Sequence, residues 1–269
     1  MTKVIIAGAG GRMGRRIGHM VNEHKALQIA GGFERPGSPD IGVDIGELSG
    51  CGQLGVQVVD NLETIIAAGD VIIDFTFHEA TIKIARLAAK YKKAMVIGTT
   101  GLTNDELTEL GQLAGDFPCV QAPNMSVGVN VLFKIAAKMA AVLGDSYDME
   151  IVEAHHRMKK DAPSGTALKL GEVMAEAVDR KLDEVGVYAR HGIIGERSDT
   201  EIGIQSIRGG DIVGEHTAYF IGAGERLELS HRAMSRDNFA KGAAVAAAWV
   251  TEQANGMYTM FDVLGLQDF

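Results

Sequence analysis

The sequence is poor in cysteine, and its two cysteines form no recognisable site. Cys51 and Cys119 lie far apart and in no metal-ligand spacing, which argues against a disulfide scaffold or a structural zinc site and fits a reducing compartment. Proline is also scarce, at 5 of 269 residues, whereas glycine is abundant, at 34. Because glycine without a collagen period permits tight turns and close backbone approaches, this balance is typical of α/β nucleotide-binding folds.

Basic runs and long hydrophobic runs are absent as well. The chain has 26 Lys and Arg against 35 Asp and Glu, a formal net charge of −9, and no basic segment offers a face for nucleic acid. No uninterrupted apolar stretch approaches the ~20 residues that span a bilayer. No secretory signal is visible, since Lys3 is followed at once by a short apolar segment and glycines. We therefore expect a cytoplasmic protein with no nucleic-acid or membrane partner.

Short apolar runs alternate with helix-period segments in the first half of the chain. Helices are predicted over 13–24 and 78–91. Strands are predicted at Val4–Ala7, Leu27–Phe33, Val71–Phe75 and Ala94–Ile97. Near-continuous apolar strands separated by helices indicate a parallel sheet covered on both faces. The predicted fold class is α/β, with a Rossmann-like doubly wound parallel sheet.

The pattern changes near residue 125. Helices are predicted over 127–143 and 166–181, on either side of a strand at Met149–Ala154. Further strands are predicted at Val187–Arg190, Ile202–Arg208, Glu215–Ile221 and Arg226–His231. Successive strands joined by short turns indicate a second, α+β domain with an antiparallel or mixed sheet. We predict a dinucleotide-binding domain at 1–126, a substrate domain at 127–235, and a segment at 236–269, with a helix over 236–252, that returns to the first domain.

The first predicted strand ends in a glycine-rich loop. The usual dinucleotide fingerprint has its third glycine where this chain has Met13, but Gly8, Gly11 and Gly14 fit the related pattern G-x-x-G-x-x-G. Glu34 follows about 20 residues after Gly14, where a carboxylate can accept hydrogen bonds from ribose hydroxyls. The alternative is a generic strand-to-helix turn. The residues predicted to hold the coenzyme are Gly8, Ala9, Gly10, Gly11, Arg12, Met13 and Glu34.

Arg35 lies beside Glu34 and bears on the choice of coenzyme. A carboxylate favours NAD, whereas a guanidinium can pair with the 2′-phosphate of NADP, so the two together predict use of either NADH or NADPH. The alternative is that Arg35 only faces solvent.

Two further loops follow strands and are expected near the nicotinamide, with ordinary turns as the alternative. Their residues are Gly98, Thr99 and Thr100, and Ala122, Pro123, Asn124 and Met125.

The densest group of reactive side chains lies between residues 153 and 166. His155, His156 and Lys159 make this segment cationic within an acidic protein. Ser164 is a natural helix N-cap, and with Gly165 and Thr166 it would present backbone amides to a carboxylate. A His or Lys could supply the proton that a reductase needs. The alternatives are a metal site on the adjacent histidines, which no suitable third ligand accompanies, and an exposed basic loop; we predict no metal.

These segments resemble the dihydrodipicolinate reductase family, also named 4-hydroxy-tetrahydrodipicolinate reductase. Glu153-Ala154-His155-His156, Lys159 and Asp161-Ala162-Pro163-Ser164-Gly165-Thr166-Ala167 look like the family signature. The similarity extends over the whole chain, through the glycine loop, Glu34-Arg35, Ile73-Asp74-Phe75-Thr76, Gly98-Thr99-Thr100-Gly101, the segment 124–130, and Gly209-Gly210-Asp211-Ile212-Val213-Gly214-Glu215-His216. Met125 stands where some relatives have Phe.

The resemblance implies both an activity and roles for residues. The implied reaction is the NADH- or NADPH-dependent reduction of 4-hydroxy-tetrahydrodipicolinate, a small anionic dicarboxylate, to tetrahydrodipicolinate with loss of water, in the diaminopimelate route to lysine. It also implies a homotetramer built through the second domain. Proton transfer would fall to His155 and Lys159. His156, Gly165 and Thr166 would contact the substrate.

Two other functions remain open on the residues alone. Another two-domain amino-acid or keto-acid dehydrogenase would share the coenzyme half, so only the segment 153–166 discriminates against it. A non-catalytic NAD(H)-sensing protein would usually carry a DNA-binding helix pair or a basic extension, and neither is visible.

Overall fold

The computed structural model describes residues 1–267 and divides into two compact units. The first comprises Met1–Val127 and 236–267, and the second comprises Gly128–Ser235. The predicted returning segment 236–269 extends to residues 268 and 269, which lie outside the described residues. The chain thus leaves the first unit near residue 127 and re-enters it at Arg236.

The first unit is built on a parallel sheet of seven described strands. They are β1 (Thr2–Ala7), β2 (Leu27–Phe33), β3 (Val58–Val59), β4 (Val71–Asp74), β5 (Ala94–Ile97), β6 (Pro118–Gln121) and β12 (Gly256–Tyr258). Their order is β12-β6-β5-β4-β1-β2-β3, and every neighbouring pair is parallel. The predicted Rossmann-like sheet is confirmed. The edge strands β3 and β12 were not predicted, because two or three residues carry too little periodicity.

Both faces of this sheet are buried, which explains the continuous apolar strands. In β1, Val4 and Ile6 belong to one hydrophobic cluster, whereas Ile5 and Ala7 belong to another. Alternate side chains of a strand point to opposite faces, so each face packs against its own layer of helices. The helices of this unit are α1 (Arg12–Glu23), α2 (Ile45–Ser49), α3 (His78–Tyr91), α4 (Asn104–Leu113), α8 (Asp237–Val250) and α9 (Met260–Val263).

The last long helix packs against α1 within the first unit. Its buried residues are mostly alanine, including Ala240, Ala243 and Ala247. Small side chains let it approach closely, and a Cβ at Gly242 would lie 1.7 Å from the Met125 carbonyl oxygen. An Arg16–Asp237 ion pair with two hydrogen bonds of 2.5 and 2.6 Å joins the two helices.

The second unit contains a mixed sheet of five described strands. They are β7 (Asp148–His155), β8 (Gly186–Val187), β9 (Ile202–Arg208), β10 (Gly214–Gly222) and β11 (Glu225–Ala233), in the order β11-β10-β7-β9-β8. Strand β7 pairs parallel with β9 and antiparallel with β10. Its helices are α5 (Val127–Leu143), which begins at the boundary between the units, α6 (Gly165–Glu176) and α7 (Leu182–Val185). The predicted α+β architecture is confirmed.

Two predicted elements of this unit end early. Helix α6 stops at Glu176 rather than Lys181 because Asp179 adopts a left-handed φ of 56° and the Arg180 N–H turns back to the Ala175 carbonyl. Strand β8 stops at Val187 rather than Arg190, since only Gly186 and Val187 pair with β9.

One described helical stretch, Val127–Ser146, which comprises α5 and the 3-10 turn that continues it, is long and apolar enough by length and composition to cross a membrane. A core helix of a soluble protein passes the same test. Because Asn130, Lys134 and Lys138 lie within it, the finding is weak support for a membrane span.

Candidate active site

The structure brings all predicted coenzyme loops to the carboxyl-terminal edge of the parallel sheet. Residues 8–13 follow β1, Glu34 and Arg35 follow β2, Gly98–Thr100 follow β5, and Ala122–Met125 follow β6. The chain proceeds from β1 to one side of the sheet and then crosses to β4 on the other. This reversal is the switch point at which open α/β sheets bind ligands.

The glycine loop has a backbone that side chains would block. Gly8 adopts a left-handed φ of 67°, and a Cβ at Gly14 would lie 2.0 Å from the Gly8 carbonyl oxygen. Helix α1 begins at Arg12, directly after Gly11 as N-cap. The loop therefore delivers the helix N-terminus and its orphan amides to the strand edge, as pyrophosphate binding requires.

Glu34 reaches the glycine loop directly. The Gly10 N–H donates to Glu34 Oε1 at 3.0 Å, and the Arg35 N–H donates to Oε2 at 3.2 Å. A cavity of about 380 Å³ opens beside this contact, lined among others by Gly8, Glu34, Arg35 and Phe77. Its mixture of carboxylate, cation and aromatic ring fits the adenosine end of a dinucleotide. Lys83 of α3 also lines it, a residue that no sequence motif marked.

In the other two loops some side chains point inward. Thr99 and Met125 are 4% and 1% exposed, and Met125 packs in the apolar core. These residues offer a ligand mainly their backbone, whereas Thr100 and Pro123 are exposed. The Met-for-Phe difference at position 125 is therefore a matter of core packing.

Glu153, in β7, is the centre of a polar network in the second unit. It is fully buried, and its carboxylate accepts from both Arg208 terminal nitrogens at 2.8 and 2.7 Å and from the Ser164 N–H at 3.1 Å. Burial alone would raise the pKa of Glu153. Hydrogen bonds from His155, Arg208 and Ser206 outweigh it and hold that pKa well below its ordinary value of 4.5.

His155 is held by this carboxylate. Its Nδ1 lies 2.6 Å from Glu153 Oε2, and the side chain is 12% exposed. Because an ionised carboxylate only accepts, Nδ1 carries the proton, and Nε2 is the nitrogen left for chemistry. Gly214 makes room for that nitrogen, since a Cβ there would lie 3.0 Å from Nε2.

Ser164 caps α6, as predicted. Its hydroxyl accepts from the Ala167 N–H at 3.1 Å and lies 3.0 Å from His216 Nε2. Burial, with smaller contributions from neighbouring His155 and Lys159, lowers the pKa of His216 to about 3. His216 is thus a neutral imidazole packed edge-on against His155, with ring centroids 5.2 Å apart. The Ser164 hydroxyl is occupied by protein partners.

The remaining predicted residues follow in the same loop and helix start. Lys159 Nζ pairs with Asp161 Oδ2 at 2.9 Å, and that hydrogen bond lowers the pKa of Asp161. The Lys159 side chain is 20% exposed and that of Asp161 is 59% exposed. His156 is half-buried, and Gly165 lies exposed at the start of α6. In the described part of the chain, no group of three His, Cys, Asp or Glu could hold a metal ion.

Sequence reasoning missed the partners of His155. Glu153 was quoted within the signature without a role, and Arg208 and His216 were not singled out as functional. Strand pairing brings them together, since β7 lies between β9 and β10, placing His155 opposite Arg208 and Glu153 opposite His216. Such contacts across 53 and 63 positions of sequence have no local periodic signal.

Together, the sheet with its glycine loop and the histidine–lysine loop of the second unit define a two-domain, nucleotide-dependent oxidoreductase. Residues 2–125 match the family model described as dihydrodipicolinate reductase, N-terminus, and residues 128–264 match dihydrodipicolinate reductase, C-terminus. The chain belongs to the dihydrodipicolinate reductase family, whose members reduce with a pyridine nucleotide.

Individual relatives agree over the full length. A protein of Desulfotalea psychrophila named 4-hydroxy-tetrahydrodipicolinate reductase is 68% identical. The match covers 100% of this chain and 100% of the relative. One of the same name from Syntrophus aciditrophicus is 55% identical, over 99% of this chain and 100% of the relative. A solved structure, dipicolinate-bound dihydrodipicolinate reductase from Paenisporosarcina sp. TG-14, superposes with a TM-score of 0.75 at 26% identity, over 97% of this chain and 98% of that one.

Proposed function

We propose that this chain reduces 4-hydroxy-tetrahydrodipicolinate to tetrahydrodipicolinate, with NADH or NADPH as reductant. The balanced reaction consumes one hydride and one proton and releases one water. It would serve the diaminopimelate route to lysine. The observation that carries the proposal is His155, the last residue of β7, which is held through Nδ1 by buried Glu153 and directly precedes the loop that ends at the N-terminus of α6.

The substrate is a dicarboxylate, and this loop suits one. Backbone amides at Gly165 and Thr166 begin α6, where the helix dipole favours an anion. The Lys159 ammonium is partly exposed, and its partner Asp161 lies largely in solvent, so a substrate carboxylate can replace it. The solved relative with dipicolinate bound supports this class of ligand. We assign His156, Gly165 and Thr166 to substrate binding, with Ser164 holding the helix start.

The coenzyme residues fit a dinucleotide because of the glycine backbone and the cavity beside Glu34. We assign residues 8–13, Glu34 and Arg35 to the pyrophosphate and adenosine, and the loops Gly98–Thr100 and Ala122–Met125 to the nicotinamide end. When bound, the reduced nicotinamide supplies the hydride. The protein holds the dicarboxylate, and His155 or Lys159 delivers the proton that quenches the enamine-like charge left on the ring.

The decisive experiment is a coupled assay at 340 nm, with the substrate generated in situ from aspartate semialdehyde and pyruvate by the preceding synthase. We expect rapid oxidation of the coenzyme that depends on both precursors. Coenzyme binding without turnover would instead favour a different amino-acid or keto-acid dehydrogenase or a non-catalytic sensor.

Either coenzyme should serve, and Arg35 should set the preference for NADPH. Replacing Arg35 with Ala should lower kcat/KM for NADPH by about tenfold, because a guanidinium pairs with the 2′-phosphate, while NADH is little affected. Steady-state kinetics with both coenzymes checks this. Arg86→Ala is the control, since Arg86 pairs with Glu109 and does not line the cavity. Equal losses with both coenzymes would contradict the assignment.

We further propose a cytoplasmic homotetramer assembled through the second unit. Large apolar side chains are exposed on its strands and on the loop before β9, where Ile193 is fully exposed. The other exposed apolar residues on these strands are Ile207, Ile221 and Leu227.

A further inference from the structure

Asp74 is a buried carboxylate without a basic partner. It ends β4, is 0% exposed, and forms no ion pair with any Lys, Arg or His of residues 1–267. Its oxygens accept from the Thr76 N–H at 3.1 Å and from the hydroxyls of Thr76, Thr81 and Thr99 at 2.5, 2.5 and 3.1 Å. Burial raises the pKa of Asp74, and these four bonds oppose that rise.

The four donors come from three separate pieces of chain. Thr76 lies in the loop after β4, Thr99 in the loop after β5, and Thr81 inside α3. The two loops are also tied to each other, since the Thr76 N–H donates to Thr99 Oγ1 at 3.0 Å. Asp74, Thr76 and Thr99 are thus hydrogen-bonded to one another, and we call these three residues the Asp74 triangle.

The Asp74 triangle lies beneath the proposed coenzyme site. Thr76 lines the cavity beside Glu34, and its Cγ2 lies 3.0 Å from where a Cβ of Gly8 would be. Thr99 is the middle residue of the Gly98–Thr100 loop. Its hydroxyl both donates to Asp74 and accepts from Thr76, so it has no remaining proton for a ligand.

A buried carboxyl group is a costly way to stabilise a fold. An apolar residue of similar size would avoid the desolvation cost that a carboxylate meets in the interior. What the carboxyl group adds is direction, because its two oxygens accept four hydrogen bonds and so hold each donor at a set place. Those donors sit on loops that would otherwise be free to move independently.

We propose that Asp74 and Thr99 are positioning residues that lock the loops after β4 and β5 in the geometry that binds the nicotinamide coenzyme. This rests on the coenzyme site of the proposed function. Neither side chain need touch the coenzyme, because Asp74 acts through Thr99 and Thr76, and the Thr99 loop presents its backbone.

Thr81 offers a matched control within the same cluster. Its hydroxyl donates to the same Asp74 oxygen as that of Thr99, and both residues are buried. Thr81, however, is held by the helical backbone of α3 and does not join the two loops. Thr99→Val and Thr81→Val each replace a hydroxyl with a methyl group of similar size. Each therefore removes one hydrogen bond to the same carboxyl group.

The test measures NADH and NADPH binding by calorimetry, together with Tm and the KM for the dicarboxylate. Thr99→Val should weaken both coenzymes by about tenfold and leave the dicarboxylate KM unchanged. Thr99→Ser should restore binding, and Thr81→Val should lower Tm without weakening either coenzyme. Equal weakening by Thr99→Val and Thr81→Val, or none by Thr99→Val, would overturn the proposal. Because binding is read without turnover, a wild-type protein that binds NADH but does not reduce the dicarboxylate would refute the proposed function alone.

Discussion

His155→Gln and Lys159→Ala should each lower kcat by about 10²- to 10⁴-fold, the range typical of a lost general acid. His155 presents Nε2 to the reaction because Nδ1 is held by Glu153, and Lys159 is the partly exposed ammonium in the loop that follows β7. Calorimetry should show NADH affinity nearly intact in both variants, since the coenzyme loops lie in the first unit. The measurement is steady-state turnover combined with coenzyme binding.

The separate effects on kcat and KM distinguish a role in proton donation from a role in substrate binding. Replacing a residue that only binds substrate raises KM, whereas replacing a proton donor lowers kcat and kcat/KM together. Lys169→Ala is a suitable control, because this lysine lies in α6 and pairs with Glu172. Loss of NADH binding in both His155 and Lys159 variants would refute the division of labour between the two units.

Glu153→Gln should damage both stability and turnover. Removing the charge leaves the Arg208 guanidinium without its carboxylate, a loss of about 3–5 kcal/mol for a broken buried pair. It also replaces the carboxylate that fixes the His155 ring with a neutral amide, so kcat should fall by about 10²-fold. Denaturant unfolding and steady-state kinetics measure the two effects.

Glu150→Gln is the matched control for that variant. Glu150 lies in the same strand and is paired with Arg190 and Arg197, but it does not contact His155. It should lose stability and keep its kcat. A Glu150→Gln variant that loses kcat as severely would mean that the Glu153 effect is only structural.

The contribution of Glu153 should also depend on pH. Its folded pKa lies below its ordinary value of 4.5, so the stabilisation is complete above that value and is lost as the pH falls toward the folded pKa. The difference in unfolding free energy between wild type and Glu153→Gln should therefore shrink as the pH falls from 6 toward 3. A difference that grows on acidification would contradict the sign of the shift.

Much of the first unit was predictable from local pattern. The bounds of β2, β5 and α3 agree with the predicted ranges, because a strand buried on both faces and an amphipathic helix each leave a strong periodic signal. Elements without that signal were missed or mis-sized, as with edge strands β3 and β12 and the early end of α6 at Glu176. Those bounds depend on pairing partners and on the left-handed Asp179, not on local composition.

The placing of the loops after β1, β2, β5 and β6 at one edge of the sheet was also predictable. Their residues follow strands directly, and parallel strands present their carboxyl ends at one edge. What each side chain does there was not predictable. Thr99 lies inward on Asp74, Met125 packs in the core, and Lys83 enters the cavity from a helix with no motif.

The sequence by itself determined the class of fold, the glycine loop followed by Glu34, and the concentration of histidine and lysine side chains between residues 153 and 166. These are encoded by neighbours along the chain, where spacing and residue type carry the information. Tertiary structure alone decided which nitrogen of His155 is available, since that depends on Glu153 being buried and oriented by Arg208 from β9. It also decided that Asp74 gathers hydroxyls from two loops and a helix, because hydrogen bonds between distant segments exist only once the sheet has set their positions.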